Sequence, residues 1–209
     1  SATINGATLT SIENLAPIED SQYNDSVTLG AAFTGLFQLY FEGGDDYFSG
    51  GSGVDEIRGG NGADTIYGNA GNDRLFGDIG TGQDGNDQIF GGAGMDQIGG
   101  NGGDDTIDGG ADDDSISGDE GNDTLYGGDG NDFVGGGDGS DTVYGGAGND
   151  RIAGRTGNMD GYFDVSVDYL YGEGGDDIIY VGGGDIADGG PGTDTLDLDL
   201  WSSSVGVTF

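Results

Sequence analysis

Cysteine, histidine and lysine are all missing from this chain of 209 residues. Without cysteine there is no disulfide framework and no thiolate metal site. Without any of the three, no familiar nucleophile–base pair can be assembled, so the chain is expected not to be an enzyme. A carboxylate pair for glycoside chemistry stays open, but among 40 acidic residues such pairs are uninformative. The only basic residues are Arg58, Arg74, Arg151 and Arg155, and the net charge is −36. A surface of that sign repels nucleic acid and anionic membranes. No apolar run is long enough to span a bilayer, and no signal-peptide pattern opens the chain. Strong charge, low hydrophobicity and 51 glycines are together the composition of a disordered chain. Only a strict internal pattern overturns that reading.

Such a pattern is present. From Gly85 onward the chain repeats G-G-x-G-x-D-x-U-x, with U a large apolar residue. The sixth-position aspartates are Asp87, Asp96, Asp105, Asp114, Asp123, Asp132, Asp141 and Asp150, each nine residues after the last. Two residues later stand Ile89, Ile98, Ile107, Ile116, Leu125, Val134, Val143 and Ile152. Upstream, Asp46, Asp55, Asp64 and Asp73 keep the same step, followed by Phe48, Ile57, Ile66 and Leu75. Downstream, Asp168, Asp177, Asp185 and Asp194 continue it with one step short, alongside Leu170, Ile179, Ala187 and Leu196. A disordered acidic tract has no reason to fix Asp and an aliphatic residue at constant offsets.

These nonapeptides resemble the RTX (repeats-in-toxin) family, closely over about residues 42–197 and loosely over the first forty. The resemblance implies an all-β fold, a right-handed parallel β-roll with irregular β caps at both ends. It also implies Ca²⁺ ions between turns eighteen residues apart, because alternate turns stack on one edge. The expected pairs are Asp87 with Asp105, Asp96 with Asp114, Asp105 with Asp123, Asp114 with Asp132, Asp123 with Asp141, and Asp132 with Asp150. All sixteen aspartates named above are candidate metal ligands, with Asp46, Asp168 and Asp185 in less regular surroundings.

The residues support this physically. Glycines at positions one, two and four permit a tight turn. A hard cation wants six or more oxygens, and such a turn points carbonyls inward while Asp supplies the charge. The x-U-x segment makes a short strand whose central side chain faces the core. Asn at position five (Asn72, Asn86, Asn122, Asn131, Asn149) suits a left-handed backbone conformation. One buried aliphatic residue per nine offers little to offset the ordering of glycine-rich turns. Stacked acidic turns would also repel one another. Ion binding is therefore expected to decide folding. Extracellular calcium modules work at about 10⁻⁴–10⁻³ M, so the chain is expected to fold outside the cell. That agrees with the family's export as unfolded chains by type I secretion.

The pattern breaks twice. Asp73 and Asp87 lie fourteen apart, so five residues are inserted within Gly77–Asp84. Asp150 and Asp168 lie eighteen apart, leaving either a bulged loop or a degenerate turn at Asp160 with Tyr162 inward. The bulge would put both insertions on one edge. Alternate turns also predict two unlike faces. One carries Tyr67, Phe90, Asp108, Tyr126 and Tyr144 beside Thr65, Thr106, Thr124 and Thr142; the other carries Gly99, Ser117, Gly135 and Ala153.

Residues 1–42 read as an irregular N-terminal β cap or degenerate repeat, with strands at Ala7–Ile12, Ser26–Leu29 and Leu36–Phe41. The roll is expected over 43–197 and a capping β-segment over 198–209, the whole being a piece of a longer protein. The leading expectation is a calcium-binding structural module of a secreted or cell-surface bacterial protein, such as an adhesin or surface-layer array. The alternative is a non-catalytic accessory module of a secreted hydrolase or polysaccharide-modifying enzyme. A sugar- or ice-binding face on the Tyr/Thr sheet is a third reading. Expected partners are calcium ions, the parent polypeptide, and a surface-array or polysaccharide partner.

Overall fold

A computed structural model describes residues 5–9, 18–19, 22–34, 36–79, 84–155 and 166–198. All twenty of its elements are strands. The first eight are β1 (Asn5–Leu9), β2 (Ile18–Glu19), β3 (Ser26–Leu29), β4 (Phe37–Tyr40), β5 (Tyr47–Ser49), β6 (Asp55–Arg58), β7 (Thr65–Ala70) and β8 (Arg74–Phe76). The uninterrupted repeats give β9 (Gln88–Ala93), β10 (Gln97–Gly102), β11 (Thr106–Ala111), β12 (Ser115–Glu120), β13 (Thr124–Asp129), β14 (Phe133–Asp138), β15 (Thr142–Ala147) and β16 (Arg151–Ala153). Then follow β17 (Tyr169–Gly174), β18 (Ile178–Val181), β19 (Ile186–Asp188) and β20 (Thr195–Leu198). Among the described residues no helix is long and apolar enough to cross a membrane.

Odd-numbered strands form one ten-stranded sheet and even-numbered strands the other, each in sequence order. Every pairing is parallel, and the chain is an all-β parallel solenoid of the expected β-roll type. The register follows the repeat: Thr106 faces Thr124, Ile107 faces Leu125 and Asp108 faces Tyr126. The strands outrun the x-U-x segment. Gly110 and Ala111 pair with Gly128 and Asp129, so the six-residue strands take in glycines that ordinarily weaken a strand. Close stacking requires glycine at position one of the turn, where a Cβ on Gly109 would run into the Gly127 carbonyl of the next turn on that edge.

The core is a single file of aliphatic residues from each sheet. Ile57, Leu75, Ile89, Ile107, Leu125, Val134, Val143, Ile152, Leu170 and Ile179 are all fully buried. Leu196 pairs with Ile179 yet is 48 % exposed, so the file opens at that end. Aromatic side chains stack along the outer face of the odd-numbered sheet in two groups. Tyr67 and Phe90 stack in one, with the Tyr47 ring tilted against Tyr67; Tyr126, Tyr144 and Tyr171 stack in the other, and Asp108 stands between them. On the even-numbered sheet the small positions Gly99, Ser117, Gly135 and Ala153 lie in register, bounded by Phe76 and Tyr180. Beyond Phe76 the Arg58 guanidinium lies between two rings, 5.3 Å from Tyr40 and 5.4 Å from Phe76.

The N-terminal segments share the same two sheets: β1 pairs with β3, and β2 with β4. The expected strand Ser26–Leu29 is β3, Leu36–Phe41 corresponds to β4 with one residue fewer at each end, and Ala7–Ile12 overlaps β1 at Ala7–Leu9, its last three residues lying outside the described residues. Both insertions fall on connections from the even to the odd sheet, β8 to β9 and β16 to β17. Because β15 pairs directly with β17 and β16 with β18, Asp168 follows Asp150 as the very next turn. That is the register of a bulged loop. Asp160 and Tyr162 themselves, like residues 199–209, lie outside the described residues.

Candidate metal centre

Alternation between sheets sorts the sixteen candidate aspartates into two rows, one along each edge. Asp46, Asp64, Asp87, Asp105, Asp123, Asp141, Asp168 and Asp185 precede odd-numbered strands. Asp55, Asp73, Asp96, Asp114, Asp132, Asp150, Asp177 and Asp194 precede or open even-numbered ones. Fourteen of the sixteen are buried; Asp185 and Asp194, near the open end of the core, are half-buried.

Each row is a continuous hydrogen-bonded chain. The main-chain N–H of one aspartate donates to Oδ1 of the aspartate in the next turn on that edge. It does so from Asp87 to Asp105, Asp105 to Asp123 and Asp123 to Asp141 at 2.8 Å. The other row matches, with Asp96 to Asp114 at 2.7 Å and Asp114 to Asp132 and Asp132 to Asp150 at 2.8 Å. All six expected pairs are thus in direct contact. Asp141 reaches Asp168 across the second insertion at 2.9 Å, and Asp150 reaches Asp177 at 2.8 Å.

The asparagines at position five do not adopt the left-handed conformation expected of them. Left-handed non-glycine residues are instead Asn69, Asn101, Asp112, Asp119 and Glu173, which replace glycines at positions two and four. The position-five side chains make a second ladder. Oδ1 of Asn86 accepts from the Asp104 N–H at 3.0 Å, Asp104 from Asn122 at 2.8 Å, and Asn122 from Ser140 at 3.1 Å. Asn or Asp is needed there as an acceptor, not for its backbone preference. The two ladders run in opposite senses, the position-six acceptor lying on the later turn and the position-five acceptor on the earlier one.

From Asp64 to Asp132 one carboxylate oxygen of each row aspartate is used in the row, and the other is left buried. Oδ2 of Asp64, Asp73, Asp87, Asp96, Asp105, Asp114, Asp123 and Asp132 has no hydrogen-bond partner. Groups buried this deeply are ordinarily satisfied, since an orphaned acceptor costs about 1–3 kcal/mol and more when charged. Burial pushes the carboxyls of Asp64, Asp87 and Asp105 up to about 8, against the opposing pull of the amide bonds they accept. It pushes those of Asp55, Asp96 and Asp114 up to about 7, and of Asp46, Asp123 and Asp150 up to about 6. Neighbouring carboxylates add to the rise.

The space around the orphaned oxygens is that of a cation cradle. A Cβ built on Gly109 would lie 2.5 Å from Asp114 Oδ2 and 2.6 Å from the carbonyl oxygen of Gly127. Gly68, Gly91, Gly100, Gly118 and Gly136 stand the same way toward the aspartate five residues on and the glycine carbonyl of the next turn on that edge. No three acidic side chains converge on one point among the described residues. The ligand set on offer is therefore one carboxylate per turn supplemented by main-chain carbonyls, all oxygen, which suits a hard dication such as Ca²⁺. The residues fit the ion.

One buried acid does not stand at position six of the repeat. Asp78, directly after Gly77, is as buried as the row aspartates. Its sequence position gives no warning, since Asp119 stands at the same place after Gly118. There the carboxylate is only half-buried and accepts from the Ser117 hydroxyl at 2.7 Å.

The family model described as RTX calcium-binding nonapeptide repeat (4 copies) matches residues 42–57, 49–83, 76–107, 99–134, 133–158 and 167–185. No curated protein matches the chain.

Proposed function

This chain belongs to the RTX calcium-binding nonapeptide repeat family, and we propose that it is a non-catalytic, calcium-dependent structural module of a secreted or cell-surface protein, folding when it meets Ca²⁺ outside the cell. The calcium-binding role follows from the family. The observation that supports the folding switch is the pair of buried carboxylate rows with orphaned Oδ2 atoms. A metal-free roll holds these groups at great cost, and a dication along each edge removes both the desolvation and the mutual repulsion. Binding free energy then becomes folding free energy. Extracellular calcium reaches the range in which such modules work, whereas cytosolic calcium does not. The unfolded chain would pass an export channel and fold on the far side.

Circular dichroism and hydrodynamic radius, followed from excess EDTA to millimolar Ca²⁺, test this. A cooperative gain of β signal with compaction is expected. Full β structure in EDTA at neutral pH would overturn the switch.

A further inference from the structure

We propose that Asp78 is an additional cation ligand, outside position six of the repeat, that makes the site between the Asp87 and Asp105 turns the tightest in the chain. The proposal rests on the calcium reading of the rows and deepens it at one place.

Position two of these turns is normally glycine or a left-handed polar residue that carries its side chain outward. Asp119 has φ +76° and Glu173 φ +68°. Asp78 is not left-handed, because here the backbone leaves the turn to enter the first insertion. Its side chain is delivered inward instead, and Asp78 is 2 % exposed.

The carboxylate lies between two successive turns of one row. Asp78 Oδ2 accepts from the Gly85 N–H at 3.2 Å, on the Asp87 turn. The Gly102 amide, on the Asp105 turn, also favours its anionic form. The main chain is tied the same way: the Asp78 carbonyl accepts from Asn101 Nδ2 at 3.0 Å, and its N–H faces the Gly100 carbonyl at 3.4 Å. Oδ1 is buried with no hydrogen-bond partner. That orphan separates Asp78 from an acid that only braces a loop, for which one accepting oxygen and no charge would suffice.

Electrostatics point to the same place. Asp78 acts on Asp64, Asp87 and Asp105, whose carboxyls are each pushed up to about 8. Burial lifts Asp78 itself to about 7, with Asp84 contributing. A regular stretch of row offers one position-six carboxylate per turn, which leaves a dication only half neutralised. With Asp78 a second carboxylate is present, and affinity in all-oxygen calcium sites rises with ligand charge.

The test is calorimetric Ca²⁺ titration of the full chain, its Asp78→Asn variant and, as a control at the same repeat position, Asp119→Asn. The expected result is a first, tight class of about one ion in the wild type and in Asp119→Asn. In Asp78→Asn that ion weakens about tenfold or more while later binding is kept. Should Asp78→Asn fail to fold at saturating Ca²⁺, Asp78→Gly, which restores the repeat's own residue, gives the decision. An Asp78 variant titrating like wild type overturns the proposal and leaves the calcium rows standing. A wild type that takes up no Ca²⁺ overturns both.

Discussion

The Asp105 N–H donates to Asp123 Oδ1 at 2.8 Å, and beside that bond the Asp105 carbonyl accepts from the N–H of the following residue, Thr124, at 2.9 Å. The Asp123 N–H in turn donates to Asp141. Each row aspartate thus serves two turns at once, one through its side chain and one through its backbone.

Asp123→Ala is therefore expected to damage more than one site. It strands the buried Asp105 N–H, at about 1–3 kcal/mol, and removes a charge shared by neighbouring turns. The exposed Asp129→Ala is expected to stay within about 0.5 kcal/mol. Calcium titration followed by circular dichroism should show a higher midpoint and lower cooperativity for Asp123→Ala alone. Equal curves for the two variants would contradict the shared-ligand geometry.

Acid should partly replace the metal. In the metal-free roll the carboxyls of Asp64, Asp87, Asp96, Asp105 and Asp114 sit above their unfolded values, reaching about 8 at Asp87 and Asp105. The folded state then holds more protons than the unfolded chain between about pH 4 and pH 8, so its stability falls as pH rises through that window. In EDTA, β signal should be greatest near the acid end and disappear toward neutrality. Calcium should reverse the trend, since the ion displaces those protons, and binding in weak buffer should release acid. A metal-free roll more stable at pH 8 than at pH 5 would refute this.

Gly109→Ala is expected to be costly, because its methyl group would occupy the gap between Asp114 Oδ2 and the Gly127 carbonyl. Overpacking of this kind costs about 1–3 kcal/mol, and here it also intrudes on the cation cradle. Gly30→Ala meets nothing within 4 Å and serves as the control. Thermal melts in excess Ca²⁺, with calcium midpoints, should separate the two.

Asp108→Tyr should stabilise the roll. Asp108 lies in register between Phe90 and Tyr126, where the two aromatic groups are interrupted, and burial raises its carboxyl pKa. Stacked rings elsewhere on this face are 4.7–5.0 Å apart. Two new aromatic pairs at about 0.5–1.5 kcal/mol each should raise the urea midpoint in excess calcium. A lowered midpoint would show that the gap is required.

Much of the architecture is legible as arithmetic. A nine-residue step fixes which residues turn and which face inward, and alternation assigns Tyr67, Phe90, Asp108, Tyr126 and Tyr144 to one column. What spacing does not carry is where the backbone departs from its own repeat. Asp78 and Asp119 occupy the same position, and only the change of φ at the first insertion sends one inward and the other out. The asparagines at position five mislead for a related reason. Asn is favoured both as a left-handed residue and as a short acceptor, and composition does not distinguish the two uses. The exposure of Leu196 follows from its place at the open end of the core, which a repeat pattern treats like any other.

The register also sets how the chain answers to tension. Every strand pairs with the next but one, so a carboxylate and its partner amide are 18 residues apart along most of each row and 27 across the second insertion. Among the described residues no pairing links strands further apart than next but one. Pulled by its ends, the roll would unwind coil by coil, each regular pair of turns releasing about 60 Å of slack and the two pairs across the second insertion about 90 Å each. With the ions as rivets, calcium concentration would set the force of each step, making the fold a graded, resettable spring.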